Sequence, residues 1–233
     1  MLKRFIRKLI LGPNADSETL LNWLRNQGAR IGEGTVVFEP QKTIIDSTRP
    51  YLINIGKNVQ IAANVTILTH GYDWSVLKGV YGEVLGSAGE VVIGDNCFIG
   101  MNTTILKGVH IGKNCIIGAN SLVNKDIPDG WVAAGNPAKP IMKIEDYYEK
   151  RKAEQFNEAK EIYRCYLERY GKEPTEEVFY EHFWLFKKRD DDMPECFKRR
   201  MRAVGKFDYS MQVYKNTPPM FDGFEEFLKA VKK

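Results

Sequence analysis

The chain has 233 residues, with 34 Lys and Arg against 30 Asp and Glu and a formal net charge of +4. That near balance, with no stripe of basic residues, argues against a nucleic-acid partner. No apolar run reaches membrane-spanning length. The four cysteines form no CxxC pair, which reads as a reduced cytoplasmic protein.

Residues 1–30 read as a short helical segment. Leu2, Phe5, Ile6, Leu9 and Ile10 form one apolar stripe with Lys3, Arg4, Arg7 and Lys8 opposite. The basic interruptions exclude a secretory signal. Residues 1–11 fit a helix in weak peripheral contact with an anionic membrane. The alternative is a helix packed on its own chain or on a neighbouring subunit. Gly12-Pro13 ends it. Asp16 or Ser17 caps a second helix, Glu18 to Gln27, which Gly28 stops.

From residue 31 the chain counts in sixes. Aliphatic residues recur at Ile93, Ile99, Ile105, Ile111, Ile117 and Val123, and earlier at Ile55, Ile61 and Ile67. Compact residues stand four places on, at Cys97, Thr103, Val109, Cys115 and Ser121. A helix needs apolar residues every three or four positions and an ordinary strand alternates. A sustained beat of six points to a parallel β-solenoid with one short strand and a turn per hexad. With three hexads per rung, Ile93 stacks under Ile111 and Ile99 under Ile117. Glycine after the aliphatic is expected to turn the corner, and Asn58, Asn96 and Asn114 suit positive φ or an Asx bond. The coil spans 31–142. A weaker break falls near Thr43 to Pro50, and a large insertion, residues 71–91, loops off the coil.

Residues 143–233 read as an α-helical extension. Phe156, Ala159, Tyr163, Tyr166 and Tyr170 repeat at helical spacing until Gly171. Further helices are expected over Thr175 to Lys188 and Pro194 to Val204, with a last one opening on Asp222-x-x-Glu225 as a capping box. Terminal helices can cover the open ends of the coil.

Histidine is the side chain best matched to proton removal near neutral pH, and the chain has three. His70 stands where the coil opens into its insertion. His110 ends a hexad and points outward. His182 lies among Phe179, Phe183 and Trp184. Spacing alone leaves each as a surface or satisfied core residue. Asp73 and Glu83 are the acids near His70 in sequence, either partners of the ring or solvated loop acids, and Tyr72, Trp74 and Tyr81 are insertion aromatics that either stack on a sugar face or pack locally.

The string from Val91 to Ile141, with Asn124-Lys125-Asp126-Ile127-Pro128 and Ala134-Gly135-Asn136-Pro137-Ala138-Lys139, resembles the hexapeptide-repeat acyltransferases. It is most similar to the maltose, galactoside and capsule-sugar O-acetyltransferase branch. The resemblance implies a left-handed parallel β-helix, where local reasoning alone gives right-handed crossovers. It implies a homotrimer with sites between coils, acetyl-coenzyme A as donor, and direct transfer without an acyl-enzyme; no metal is expected. The family's catalytic histidine follows an NVTI-type hexad, which falls on Asn64-Val65-Thr66-Ile67-Leu68-Thr69-His70. A loop glutamate that assists it falls on Glu83. The coenzyme is met by Phe98, by backbone near Gly100 or Met101 that also offers the N–H expected to hold the oxyanion, by Ala119, and by Lys125 and Lys139 at its phosphates. Phe98 stands where the family commonly has tryptophan, and Met101 where it often has serine or alanine.

The expected function is acetylation of a saccharide hydroxyl, such as one on a capsule or surface-polysaccharide precursor. An N-acetyltransferase of an amino sugar or xenobiotic is the enzyme alternative on the same fold. A zinc-dependent anhydrase of γ type needs three histidine ligands, for which His70 and His110 have no third partner. A structural solenoid predicts an uninterrupted coil and gives no reason for His70 at the loop edge.

Overall fold

The computed structural model describes residues 9–189 and 192–233. The expected stripe over Leu2, Phe5 and Ile6 lies outside the described residues; Leu9 and Ile10, its last members, are exposed. The chain divides into two compact units, 1–147 and 148–233. Among the described residues no helix is long and apolar enough to cross a membrane.

The first unit is a three-sided coil of parallel strands. One face stacks Arg30–Ile31, Ile53–Ile55, Val91–Ile93 and His110–Ile111. The second stacks Val36–Val37, Gln60–Ile61, Phe98–Ile99, Ile116–Ile117 and Trp131–Gly135, and ends in the antiparallel strand Ala138–Lys143. The third stacks Ile44–Ile45, Thr66–Ile67, Thr104–Ile105 and Leu122–Val123. The chain visits the faces in rotation, so Ile93 pairs with Ile111, Ile99 with Ile117 and Ile105 with Val123. These aliphatics are all buried, and each contributes roughly 1.5–3 kcal/mol of hydrophobic stabilisation.

Two devices close the corners. Positive φ is taken by asparagine: Asn58, Asn64, Asn96, Asn102, Asn114 and Asn120 are all left-handed. Their amides also ladder, as in Asn96 to Asn114 at 2.8 Å. The glycine after each aliphatic serves a different purpose from the one expected. Gly94 is not left-handed; a Cβ there would stand 2.7 Å from Gly112 C on the next rung. Glycine is needed because adjacent rungs approach backbone to backbone, not because the chain must turn there.

Helix α1 (Ser17–Asn26) begins where Asp16 accepts a hydrogen bond from Thr19 N–H at 2.8 Å. Its Leu20, Leu21 and Leu24 are buried in the same core as Val37, Ile45 and Ile53, so this helix covers the first open end of the coil. The insertion is not all loop: it contains helix α2 (Trp74–Tyr81), which buries no residue and ends at left-handed Gly82.

Helix α3 (Ile144–Tyr170) leads into the second unit and ends before Gly171. The helix expected over Thr175 to Lys188 is replaced by two 3-10 turns, Glu176–Phe179 and Phe183–Leu185. Phe183 and Leu185 are both buried, yet they would stand about 200° apart on an α-helix. The tighter, broken path brings both inward. Helix α4 (Glu195–Arg202) matches expectation, whereas α5 (Phe207–Asn216) was not expected. Helix α6 (Phe224–Val231) starts with Gly223 as cap, and it is Glu226, not Glu225, that reaches back to Asp222 N–H at 2.8 Å. Phe179, Phe183, Phe186, Phe197 and Phe227 form the centre of this unit.

Candidate active site

His70 sits where the third face releases the chain. Leu68 N–H still bonds Ile105 O on the next rung at 3.0 Å. The insertion then begins, and its two ends pair as a neck: Gly89 N–H bonds Thr69 O and Gly71 N–H bonds Ser87 O, both at 2.9 Å. His70 is therefore held at a fixed point between two backbone bonds, not on a free loop.

On the preceding rung of the same face, Ile45 pairs with Ile67 and Asp46 follows it. The Asp46 carboxylate is almost fully buried, with its side chain 3% exposed. Oδ1 accepts from Thr48 N–H at 2.9 Å and Thr48 Oγ1 at 2.7 Å. Oδ2 accepts from Thr69 N–H at 3.2 Å, from Thr69 Oγ1, and from His70 Nδ1 at 2.6 Å. Burial pushes this carboxyl up, but the hydrogen bonds from Thr69, Thr48 and His70 outweigh it and hold Asp46 well below the usual carboxylate range.

An ionised carboxylate only accepts, so Nδ1 must carry a proton, and in the neutral ring Nε2 then holds the lone pair. The ring lines a cavity of about 420 Å³ with Thr48, Arg49, Tyr72, Trp74 and Val84. The Tyr72 and Trp74 rings lie 5.0 Å apart, tilted by 42°.

The acid against His70 is thus Asp46, which sequence reasoning missed. Neither Asp73 nor Glu83 bonds the ring; Asp73 stands at the start of α2 without a capping bond. Tyr72 and Trp74 share the His70 cavity, while Tyr81 is exposed and does not line it. The Gly100 N–H, one of the two oxyanion donors expected, is spent on Ile117 O at 2.9 Å. Phe98 and Met101 are exposed, as are Ala119, Lys125 and Lys139. Phe98, Met101, Ala119 and Lys139 lie on the second face or its corner, whereas Lys125 follows Leu122–Val123 of the third face, as His70 follows Thr66–Ile67; none of them lines the His70 cavity. Among the described residues no cluster of three or more His, Cys, Asp or Glu side chains is placed to hold a metal ion. The missed signal was an acid directly after an inward aliphatic, Ile45-Asp46, on the rung beside Ile67-Leu68.

Residues 90–125 match the model of the bacterial transferase hexapeptide with six repeats. A Staphylococcus aureus protein named CapG is 42% identical over 124 residues, which is 53% of this chain and 71% of that one. The chain belongs to the hexapeptide-repeat acyltransferase family. Galactoside O-acetyltransferase of Escherichia coli is 40% identical over 104 residues, 45% of this chain and 49% of that one. A 2,3,4,5-tetrahydropyridine-2,6-dicarboxylate N-acetyltransferase of Staphylococcus aureus is 35% identical over 97 residues, 42% of this chain and 36% of that one. As a hexapeptide-repeat acyltransferase the chain is an enzyme, and these two relatives are acetyltransferases. The matched repeat covers Phe98, Gly100, Met101, Ala119 and Lys125 but neither Asp46 nor His70, so Asp46 rests on the geometry, and His70 on the geometry and the resemblance of the hexad before it.

Proposed function

We propose that this hexapeptide-repeat acyltransferase moves the acetyl group of acetyl-coenzyme A directly onto a hydroxyl of a saccharide. The observation that carries the reading is the 2.6 Å contact between Asp46 Oδ2 and His70 Nδ1, which leaves Nε2 as a base on a cavity wall. Nε2 takes the hydroxyl proton as the oxygen attacks the thioester carbonyl. Asp46 stabilises the imidazolium that forms, as an orienting acid does in a triad. The tetrahedral intermediate then collapses, the carbon–sulfur bond breaks, and the leaving thiolate recovers the proton from His70. The Met101 N–H is the donor for the oxyanion, because the neighbouring Gly100 N–H is committed to the coil.

Tyr72 and Trp74 are the platform for the acceptor sugar. Phe98 and Ala119 flank the pantetheine arm, and Lys125 and Lys139 meet the phosphates as point charges. In one chain Phe98, Ala119 and Lys139 lie on the second face or its corner, away from the third-face corner that carries His70 and Lys125. That separation supports a homotrimer in which a neighbouring coil completes each site, with the left-handed sense the resemblance implies. The name of the Escherichia coli galactoside O-acetyltransferase supports a sugar hydroxyl as acceptor. The N-acetyltransferase relative keeps an amine acceptor as the second reading.

The test is a panel of sugars, amino sugars and nucleotide sugars with acetyl-coenzyme A, read by thiol release. The expected product is an ester cleaved by hydroxylamine. A hydroxylamine-resistant amide would move the reading to N-acetylation, and no thiol release above the acceptor-free rate would overturn it.

A further inference from the structure

The second unit contains a cavity of about 800 Å³. It lies outside the matched hexapeptide residues, and nothing in acetyl transfer uses it. Its walls include Tyr148, Gln155 and Glu158 on α3, His182 and Trp184 around the second 3-10 turn, and Met220 after α5. The volume falls within the roughly 300–1,000 Å³ of small-molecule sites.

The guanidinium and carboxylate groups of the wall are spent within the protein. Arg151 grips both carboxylate oxygens of Glu158, at 2.6 and 2.7 Å, and Glu154 at 3.1 Å. Arg189 donates to the carbonyls of Thr217 at 2.7 Å, Trp184 at 2.9 Å and Lys187, and lies 4.1 Å over the Tyr214 ring. Lys152 lies 5.1 Å over the Tyr148 ring, and Glu181 pairs with Arg200. A phosphate or nucleotide would find no open guanidinium here.

Apart from the half-exposed Lys152 ammonium, what stays open is neutral. The Gln155 amide and the Trp184 indole N–H make no hydrogen bond among the described residues. His182 is 9% exposed, and its Nε2 stands 3.7 Å from Glu158 Oε2, too far for a hydrogen bond. Burial pushes the His182 pKa down, with Glu158 only partly offsetting it. The neutral ring offers one donor and one acceptor. An apolar ligand would bury these groups unsatisfied, at a cost.

We propose that this cavity binds a neutral saccharide unit. Trp184 and Tyr148 take the carbon face of the sugar, and Gln155, His182 and the indole N–H take its hydroxyls. The site deepens the saccharide reading of the acceptor and rests on it for the choice among neutral polyols. A second saccharide site on the same chain raises the local concentration of a multi-unit acceptor.

The chain has four tryptophans, one in this cavity (Trp184) and one in the His70 cavity (Trp74). That allows a single titration to read both. The full chain, labelled with 5-fluorotryptophan and assigned with single Trp→Phe variants, is titrated with malto-oligosaccharides, N-acetylglucosamine oligomers and galactosides and followed by fluorine NMR. The expected result is a saturable shift of the Trp184 signal with at least one of them. Gln155→Ala should weaken it by about tenfold without moving the unliganded signal, and His70→Ala should leave it intact. Shifts confined to Trp74 would overturn this cavity as a sugar site while leaving the active-site reading standing. No shift at Trp184 with any oligosaccharide, or an equal shift with inorganic phosphate, would also overturn it. The thiol-release panel judges the acetyl-transfer reading separately.

Discussion

Replacing Asp46 with Asn keeps the shape of the side chain and removes its charge. The native carboxylate accepts two hydrogen bonds from Thr48 on Oδ1, and bonds from Thr69 and His70 on Oδ2. An amide has one oxygen for these two sets of donors. If that oxygen faces Thr48, the NH₂ group meets the Thr69 N–H and points at Nδ1. The imidazole then takes the Nε2–H tautomer, and the base is lost. If the amide turns over, the NH₂ group meets the Thr48 N–H instead. Either way a donor loses its acceptor, and where it is the buried Thr69 N–H the cost is about 1–3 kcal/mol. The lost attraction for the imidazolium is about 4 kcal/mol, taking charges ~4 Å apart at an effective dielectric of ~20. That is about a thousandfold in rate. Asp46→Asn should therefore lower kcat by roughly 10²–10⁴-fold and lower the melting temperature, with the KM for acetyl-coenzyme A little changed. Steady-state thiol release and circular dichroism check both. A folded variant keeping more than about a tenth of the parental kcat would refute the orienting role, against that expected loss.

Acid stability should report the same carboxylate. Its native pKa is depressed, so its stabilising contribution is present above the ordinary carboxylate value of about 4 and is lost as pH falls toward the native value. Between about pH 6 and about pH 3 the parent should lose more stability in urea melts than Asp46→Asn; equal losses would count against it. Gly94→Ala should destabilise the coil by about 1–3 kcal/mol through overpacking, because its Cβ would meet Gly112. Gly79→Ala, in α2 with nothing within 4 Å, should be neutral or slightly stabilising in the same melts. Lys125→Ala and Lys139→Ala should each raise the KM for acetyl-coenzyme A more than they lower kcat. Kinetics with the dephospho-coenzyme donor test whether those charges meet the phosphate.

The six-residue beat was legible because inward aliphatics such as Ile99 and Ile117 must stack rung on rung, and no other regular structure has that period. The role of Gly94 was misread, because a close approach between rungs leaves no mark on local sequence, whereas a turn does. Asp46 escaped notice for a related reason. It reaches His70 across one rung from a stretch where the beat slips, so sequence proximity favoured Asp73 and Glu83. The 3-10 turns around Phe183 and Leu185 were hidden by tertiary packing, since both residues are drawn into one aromatic core. The unexpected helix α5 did leave a signal. Phe207, Met211 and Tyr214 stand at helical spacing, and all three belong to that core.

The central claim is that His70 Nε2 removes the acceptor proton. It is tested most directly by His70→Ala in a single-turnover assay with saturating acetyl-coenzyme A and the best acceptor of the panel. The account predicts a loss of acetyl transfer of roughly 10²–10⁴-fold, with coenzyme affinity by calorimetry unchanged within about threefold. Transfer at more than about a tenth of the parental rate, in a variant that binds the coenzyme normally, would contradict it.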